Sequence, residues 1–107
     1  MSYHVQITDT AKQDLREIAF YIAEQSQDKE IARSFVSALR AQCMRLAEFP
    51  QSGALPRDHV LRSLEYRYLV YKEYLIFYLI DKPKKTVSVH AFFNSRKDYL
   101  RVMKRFI

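Results

Sequence analysis

The chain has 107 residues, of which 49% are apolar and 14% aromatic, with 18 Lys and Arg against 12 Asp and Glu. That length fits one domain spanning 1–107 with a real core, and the apolar share excludes a disordered chain. A single Gly and three Pro leave no room for flexible linkers, collagen-like or low-complexity tracts. No run approaches the roughly 18 apolar residues of a membrane span, and no membrane partner is expected. Met1 to Val5 lacks the basic and apolar regions of a signal peptide. The lone Cys43 excludes an intrachain disulfide and suits a cytoplasmic protein.

The net charge of +6 is unevenly divided. Residues 1–56 carry a net −1 and residues 57–107 a net +7. A cationic second half points to an anionic partner, either nucleic acid or an acidic protein segment.

In chain order, Tyr3, Val5 and Ile7 alternate with polar neighbours as in a short strand. Thr8-Asp9-Thr10 supplies helix caps, with Thr10 and Gln13 at capping-box spacing. Ala11, Leu15, Ile18, Ala19 and Ile22 predict a helix ending near Gln25 to Gln27. Asp28 caps a second helix whose apolar positions run from Ile31 to Leu46, and Pro50 stops it soon after Phe49. The two make a helical hairpin that needs a partner layer. Residues 51–56 read as a loop, and the period then changes to that of strands. Glu65 to Tyr71 and Tyr74 to Ile80 predict a hairpin about Lys72-Glu73. Asp81 to Lys85 makes a second turn, and Thr86 to Phe93 a third antiparallel strand. Arg96 to Phe106 predicts a short terminal helix. The order β-α-α-β-β-β gives an α+β fold: an N-terminal helical hairpin packed on a four-stranded, mainly antiparallel sheet, with the first strand joining the meander.

This order resembles the RelE/ParE superfamily of bacterial toxins from type II toxin–antitoxin pairs. The likeness is carried by Thr8-Asp9-Thr10-Ala11-Lys12-Gln13-Asp14-Leu15, Tyr21-Ile22-Ala23 and Phe49-Pro50-Gln51-Ser52-Gly53. It continues through Tyr74-Leu75-Ile76-Phe77-Tyr78-Leu79-Ile80-Asp81 and Phe93-Asn94-Ser95-Arg96-Lys97-Asp98-Tyr99. The resemblance implies a cognate antitoxin whose C-terminal segment wraps the toxin. It also implies one of two activities. RelE-like members are ribosome-dependent, metal-independent mRNA endonucleases; ParE-like members poison DNA gyrase. The nuclease is the leading expectation, with gyrase inhibition or an inactive antitoxin- or RNA-binding member as alternatives. No metal or cofactor is expected.

RNA cleavage without a metal needs a base for the ribose 2′-OH, cations for the phosphate and an acid for the leaving oxygen. RelE-like members draw these groups from the open sheet face and the residues after the last strand. By that resemblance Arg67, Arg96 and Tyr99 are the catalytic candidates here. Arg67 would hold a phosphate, Arg96 would stabilise the phosphorane, and Tyr99 would transfer a proton or stack on a base. His90 joins them because its imidazole titrates near neutral pH, although a His within an aromatic strand is more often structural. It is expected in phase with Ser88 and Phe92. Arg57, Arg62, Lys72, Lys97 and Arg101 are the candidate RNA-binding cations. The chain departs from the nuclease pattern at Tyr74-Leu75, where those enzymes often carry an Arg after the Tyr, and in a second strand poorer in Lys. One phosphate-binding cation is thereby missing or moved to Lys72 or Arg62.

Other chemistry has little support. His4, His59 and His90 are scattered, with no metal-ligand spacing. Cys43 lies on the apolar face of the second helix and reads as an inert thiol. Asp9 and Asp14 sit at a helix start, where the helix dipole accounts for them.

Overall fold

The computed structural model describes residues 2–107. Strand β1 (His4–Ile7) leads into helix α1 (Asp9–Ser26), and helix α2 (Lys29–Met44) ends in a single 3-10 turn (Arg45–Ala47). A five-residue helix α3 (His59–Ser63) precedes β2 (Arg67–Tyr71), β3 (Tyr74–Asp81) and β4 (Thr86–Asn94). Helix α4 (Tyr99–Met103) runs into a final 3-10 turn (Lys104–Phe106).

Local chemistry explains the boundaries. The Thr8 hydroxyl accepts from the Ala11 amide at 3.2 Å, so Thr8 rather than Thr10 caps α1 and the helix begins at Asp9. Gln27 takes a left-handed conformation (φ 55) and ends it, and Asp28 accepts from Glu30 to start α2, as its sequence position predicts. Each such cap contributes about 1 kcal/mol. The hairpin turn lacks Gly, and Lys72 supplies the left-handed residue instead (φ 52). Residues 57–64, which show no helical period long enough to read, form α3 because Asp58 caps it, accepting from Leu61 at 3.0 Å.

The sheet order is β1-β4-β3-β2, with β1 parallel to β4 and the other pairs antiparallel. One face carries α1 and α2. There Leu15, Ile18, Leu39 and Leu46 pack on Ile76, Tyr78, Val87, Val89 and Phe92. The other face is not open: Leu61, Tyr66 and Met103 from α3 and the terminal segment close over Phe77, Ala91 and Phe93. Phe77 is the centre of that second core. Its ring lies 5.3 Å from Tyr68, 5.5 Å from Phe93 and 6.1 Å from Tyr99, all within 23° of parallel.

The register of β3 and β4 jumps at Phe77 and Tyr78, which face Ala91 and Val89. His90 is therefore an extra residue, a β-bulge. The bulge corrects the expected phase: His90 lies with Tyr66 and Phe106 on the second face, whereas Phe92 packs beneath the helices.

Candidate functional site

The side chains singled out from sequence fall into two separate concavities. The first is a cleft of about 760 Å³ between α3, the β3–β4 turn and β4, lined by Arg62, Arg67, Lys82 and His90 together with Glu65 and Asp81. The second is a groove of about 670 Å³ between α1 and the terminal segment, where Arg96, Lys97, Arg101 and Arg105 face Asp14 and Glu17.

Arg67 begins β2 on the same side as Leu69 and Tyr71, toward the helices. Its guanidinium donates to the Gly53 carbonyl at 2.9 Å and to that of Gln51 at 3.3 Å. The neighbouring Tyr78 hydroxyl accepts from the Gly53 amide at 2.9 Å and donates to the Pro50 carbonyl at 2.7 Å. Burial pushes the Tyr78 phenol above its ordinary value, so it stays a neutral donor. Arg67 and Tyr78 together pin residues 50–54 to the edge of the sheet, where Ala54 forms an isolated bridge with Tyr68.

His90 accepts or donates at Nδ1 with the Tyr66 hydroxyl at 3.1 Å, and Phe106 lies over its ring at 5.3 Å. Burial lowers its pKa below the usual imidazole value, which keeps the ring neutral at physiological pH. In the tautomer with the proton on Nε2, Nδ1 accepts the Tyr66 proton.

Tyr99, the first residue of α4, lies half-buried with its ring stacked on Phe77. Arg96 stands apart from it, 85% exposed, with only a 3.9 Å approach to Glu73. Lys97 and Arg101 are exposed along the second groove. Lys72 sits at the far hairpin turn with Nζ 5.8 Å from the centre of the Tyr71 ring, and Arg57 is exposed in the loop before α3. The candidates are thus distributed over three places. Arg62, Arg67 and His90 share one cleft, Arg96, Lys97 and Arg101 the other, and Lys72 and Arg57 neither.

The most constrained charge is one assigned to the helix dipole from sequence. Asp14 is 9% exposed and accepts from the Phe92 amide at 3.0 Å. Arg105 grips its carboxylate with both nitrogens, at 2.6 and 3.2 Å. The position corrects the dipole reading: Asp14 lies five residues into α1, with its carboxylate turned to the sheet. A signal was present, since Asp14 falls on the stripe of Ala11, Leu15 and Ile18, where a carboxylate needs a partner. Cys43 is fully buried and its thiol is pushed up to about 12 by desolvation, as expected for an inert packing residue. Among the described residues, no three His, Cys, Asp or Glu side chains come together in a way that could hold a metal ion. Nor is any described helix long and apolar enough to cross a membrane.

A family profile, that of the ParE toxin of the type II toxin–antitoxin system parDE, matches residues 5–99. The chain belongs to this toxin family. The fold places it among both branches of the wider RelE/ParE superfamily. It superposes on a chain of the chromosomal ParDE toxin–antitoxin system from P. aeruginosa with a TM-score of 0.72 at 17% identity, covering 87% of this toxin and 96% of that chain. A chain of the RelBE2 toxin–antitoxin complex from Mycobacterium tuberculosis gives 0.65 at 21% identity, over 88% and 99%. A free-state mutant of the E. coli toxin RelE gives 0.63 at 16% identity, over the whole of both chains. A search of curated protein sequences finds no match. The toxin therefore has the expected α+β fold and, as a type II toxin, a cognate antitoxin for partner.

Proposed function

We propose that this toxin acts in the ParE manner, by binding and poisoning DNA gyrase, and not by cutting mRNA. The observation that carries this reading is the dispersal of the four groups that nuclease chemistry would require. Arg67 spends its donors on loop carbonyls, His90 is bonded to Tyr66 beneath Phe106, Tyr99 stacks on Phe77, and Arg96 stands in a different groove. A base, a phosphate cation and an acid have to converge within hydrogen-bond reach of one substrate position. Here no position offers all three. The covering of the second sheet face by α3 and the terminal segment adds to this support, because that is the face on which RNA would have to lie.

One arrangement favours the nuclease as a second reading. His90, Arg62 and Arg67 line a single cleft, so an imidazole and two guanidiniums stand on one concave surface. The two readings separate in one experiment. Toxin is induced briefly, transcripts are mapped by primer extension, and purified toxin is added to gyrase with supercoiled plasmid. The gyrase reading expects cleaved gyrase–DNA complexes and intact messages. Codon-positioned mRNA cuts that vanish in His90→Ala and Arg62→Ala, with gyrase unaffected, would overturn it.

A further inference from the structure

The groove between α1 and the terminal segment exists because β1 is shorter than β4. Pairing of β1 ends at Ile7 opposite Val89, while β4 continues to Asn94. Past Val89 no described strand lies beside β4 on that side, and α1 and the terminal segment form the walls instead. Asp14 occupies part of the exposed strand edge by accepting from the Phe92 amide. The floor is apolar, formed by Phe92 and Phe93, with Ile18 and Tyr21 rising on the α1 side. Tyr21 is 57% exposed, a large ring left uncovered at the groove's margin.

Charge distinguishes this groove from an ordinary surface depression. Four cationic and two anionic side chains line it, a net of +2. Asp14 is already neutralised by Arg105, so Glu17 alone stands against Arg96, Lys97 and Arg101. Arg96 makes only a long contact to Glu73, and Lys97 and Arg101 project into solvent. Cations with weak partners around an apolar floor are complementary to a chain that carries carboxylates beside a bulky apolar side chain.

We propose that this groove is the docking site of an acidic, amphipathic segment of the cognate antitoxin. An apolar side chain of that segment covers Ile18, Tyr21 and Phe92, and its carboxylates face Arg96, Lys97 and Arg101. The inference rests on membership of a toxin–antitoxin family and is independent of whether gyrase or RNA is the toxin's target.

The test uses the full-length toxin and the antitoxin protein encoded beside it. Binding is measured by calorimetric titration for the wild type, for Lys97→Glu/Arg101→Glu and for Tyr21→Ala. A control variant, Lys82→Glu/Lys84→Glu, places the same charge change in the distant β3–β4 turn. The double reversal in the groove should weaken binding at least tenfold and flatten its salt dependence. Tyr21→Ala should weaken it several-fold, and the control should stay within twofold of wild type. Amide hydrogen exchange of the unmodified toxin gives a readout that needs no variant. Antitoxin should protect 92–97 and the facing turns of α1. Groove variants that bind as wild type would overturn the proposal. So would a complex in which these amides exchange as in free toxin, or protection here by gyrase or RNA but not by antitoxin.

Discussion

The only glycine of the chain is required for what approaches it, not for its backbone angles. Gly53 has no positive φ, but a Cβ there would stand 2.5 Å from the Tyr78 hydroxyl oxygen and 2.9 Å from the Tyr68 carbonyl oxygen. Both neighbours are fixed, the first by its bonds to Gly53 and Pro50 and the second by its bridge to Ala54. An alanine would push the loop off the Tyr78 hydroxyl and strip Arg67 of its best acceptor. Gly53→Ala should therefore lower unfolding stability by about 1–3 kcal/mol, the range of overpacking with a lost buried hydrogen bond. Urea titration of the variant measures it, and a change below about 0.5 kcal/mol, the level of an ordinary surface substitution, would show that the loop yields freely. The same contacts explain why Arg67 was hard to place from sequence. Its phase in the strand was readable, but a strand arginine that binds a substrate phosphate and one that binds two loop carbonyls have the same local pattern. The carbonyls lie 14 and 16 residues away along the chain.

Among the elements, the two long helices and the three-stranded meander were legible because periodicity and caps act locally. The bulge at His90 was not, since nothing in Val89-His90-Ala91 marks an added residue, and it moved a catalytic candidate to the other face. The terminal element was legible as a helix but not in its role. Asp98 caps it, yet five residues of α4 are too few to hold a helix alone. It is held by Met103, which is fully buried, by Tyr99 on Phe77, and by the Arg105–Asp14 pair at its far end. That pair joins the last turn of the chain to α1 and, through the Phe92 amide, to β4. Removing Arg105 would leave the Asp14 carboxylate nearly buried with one backbone donor. Breaking a buried pair costs several kcal/mol, and the 35% exposure of the Arg105 side chain reduces that to about 2 kcal/mol. Arg105→Ala is thus expected to lose about 2 kcal/mol in urea unfolding and to accelerate exchange of the amides at 99–106. The double variant Asp14→Leu/Arg105→Leu should recover most of the loss, because it removes both charges. If the single variant is as stable as wild type, the pair holds nothing and packing alone secures the segment.

Over the whole molecule, the division of charge sets a condition on stability as well as on partners. The cationic half, with its net +7, is the sheet hairpin, the turn and the terminal segment, and these close one face of the second core. Surface pairs such as Arg33–Glu30 and Arg96–Glu73 are exposed and contribute little. Repulsion among the cations therefore opposes closure of the terminal segment over Phe77 and Phe93. At 10 mM ionic strength the screening length is about 30 Å, longer than the radius of gyration of 13.8 Å, so the whole cationic half repels itself. By 0.1 M the length falls to about 10 Å, and only neighbouring charges still interact. The Asp14–Arg105 pair, being largely buried, is screened much less. Added salt should thus remove the repulsion while leaving the main attraction in place. Raising NaCl from 10 to 300 mM is expected to increase Tm by several degrees, a gain of about 1 kcal/mol corresponding to about 4–8 °C for a domain near this size. A scan in NaCl at constant pH checks this. A Tm that falls with salt would mean that attractive surface pairs outweigh the repulsion, and that the cationic half is not held together against its own charge.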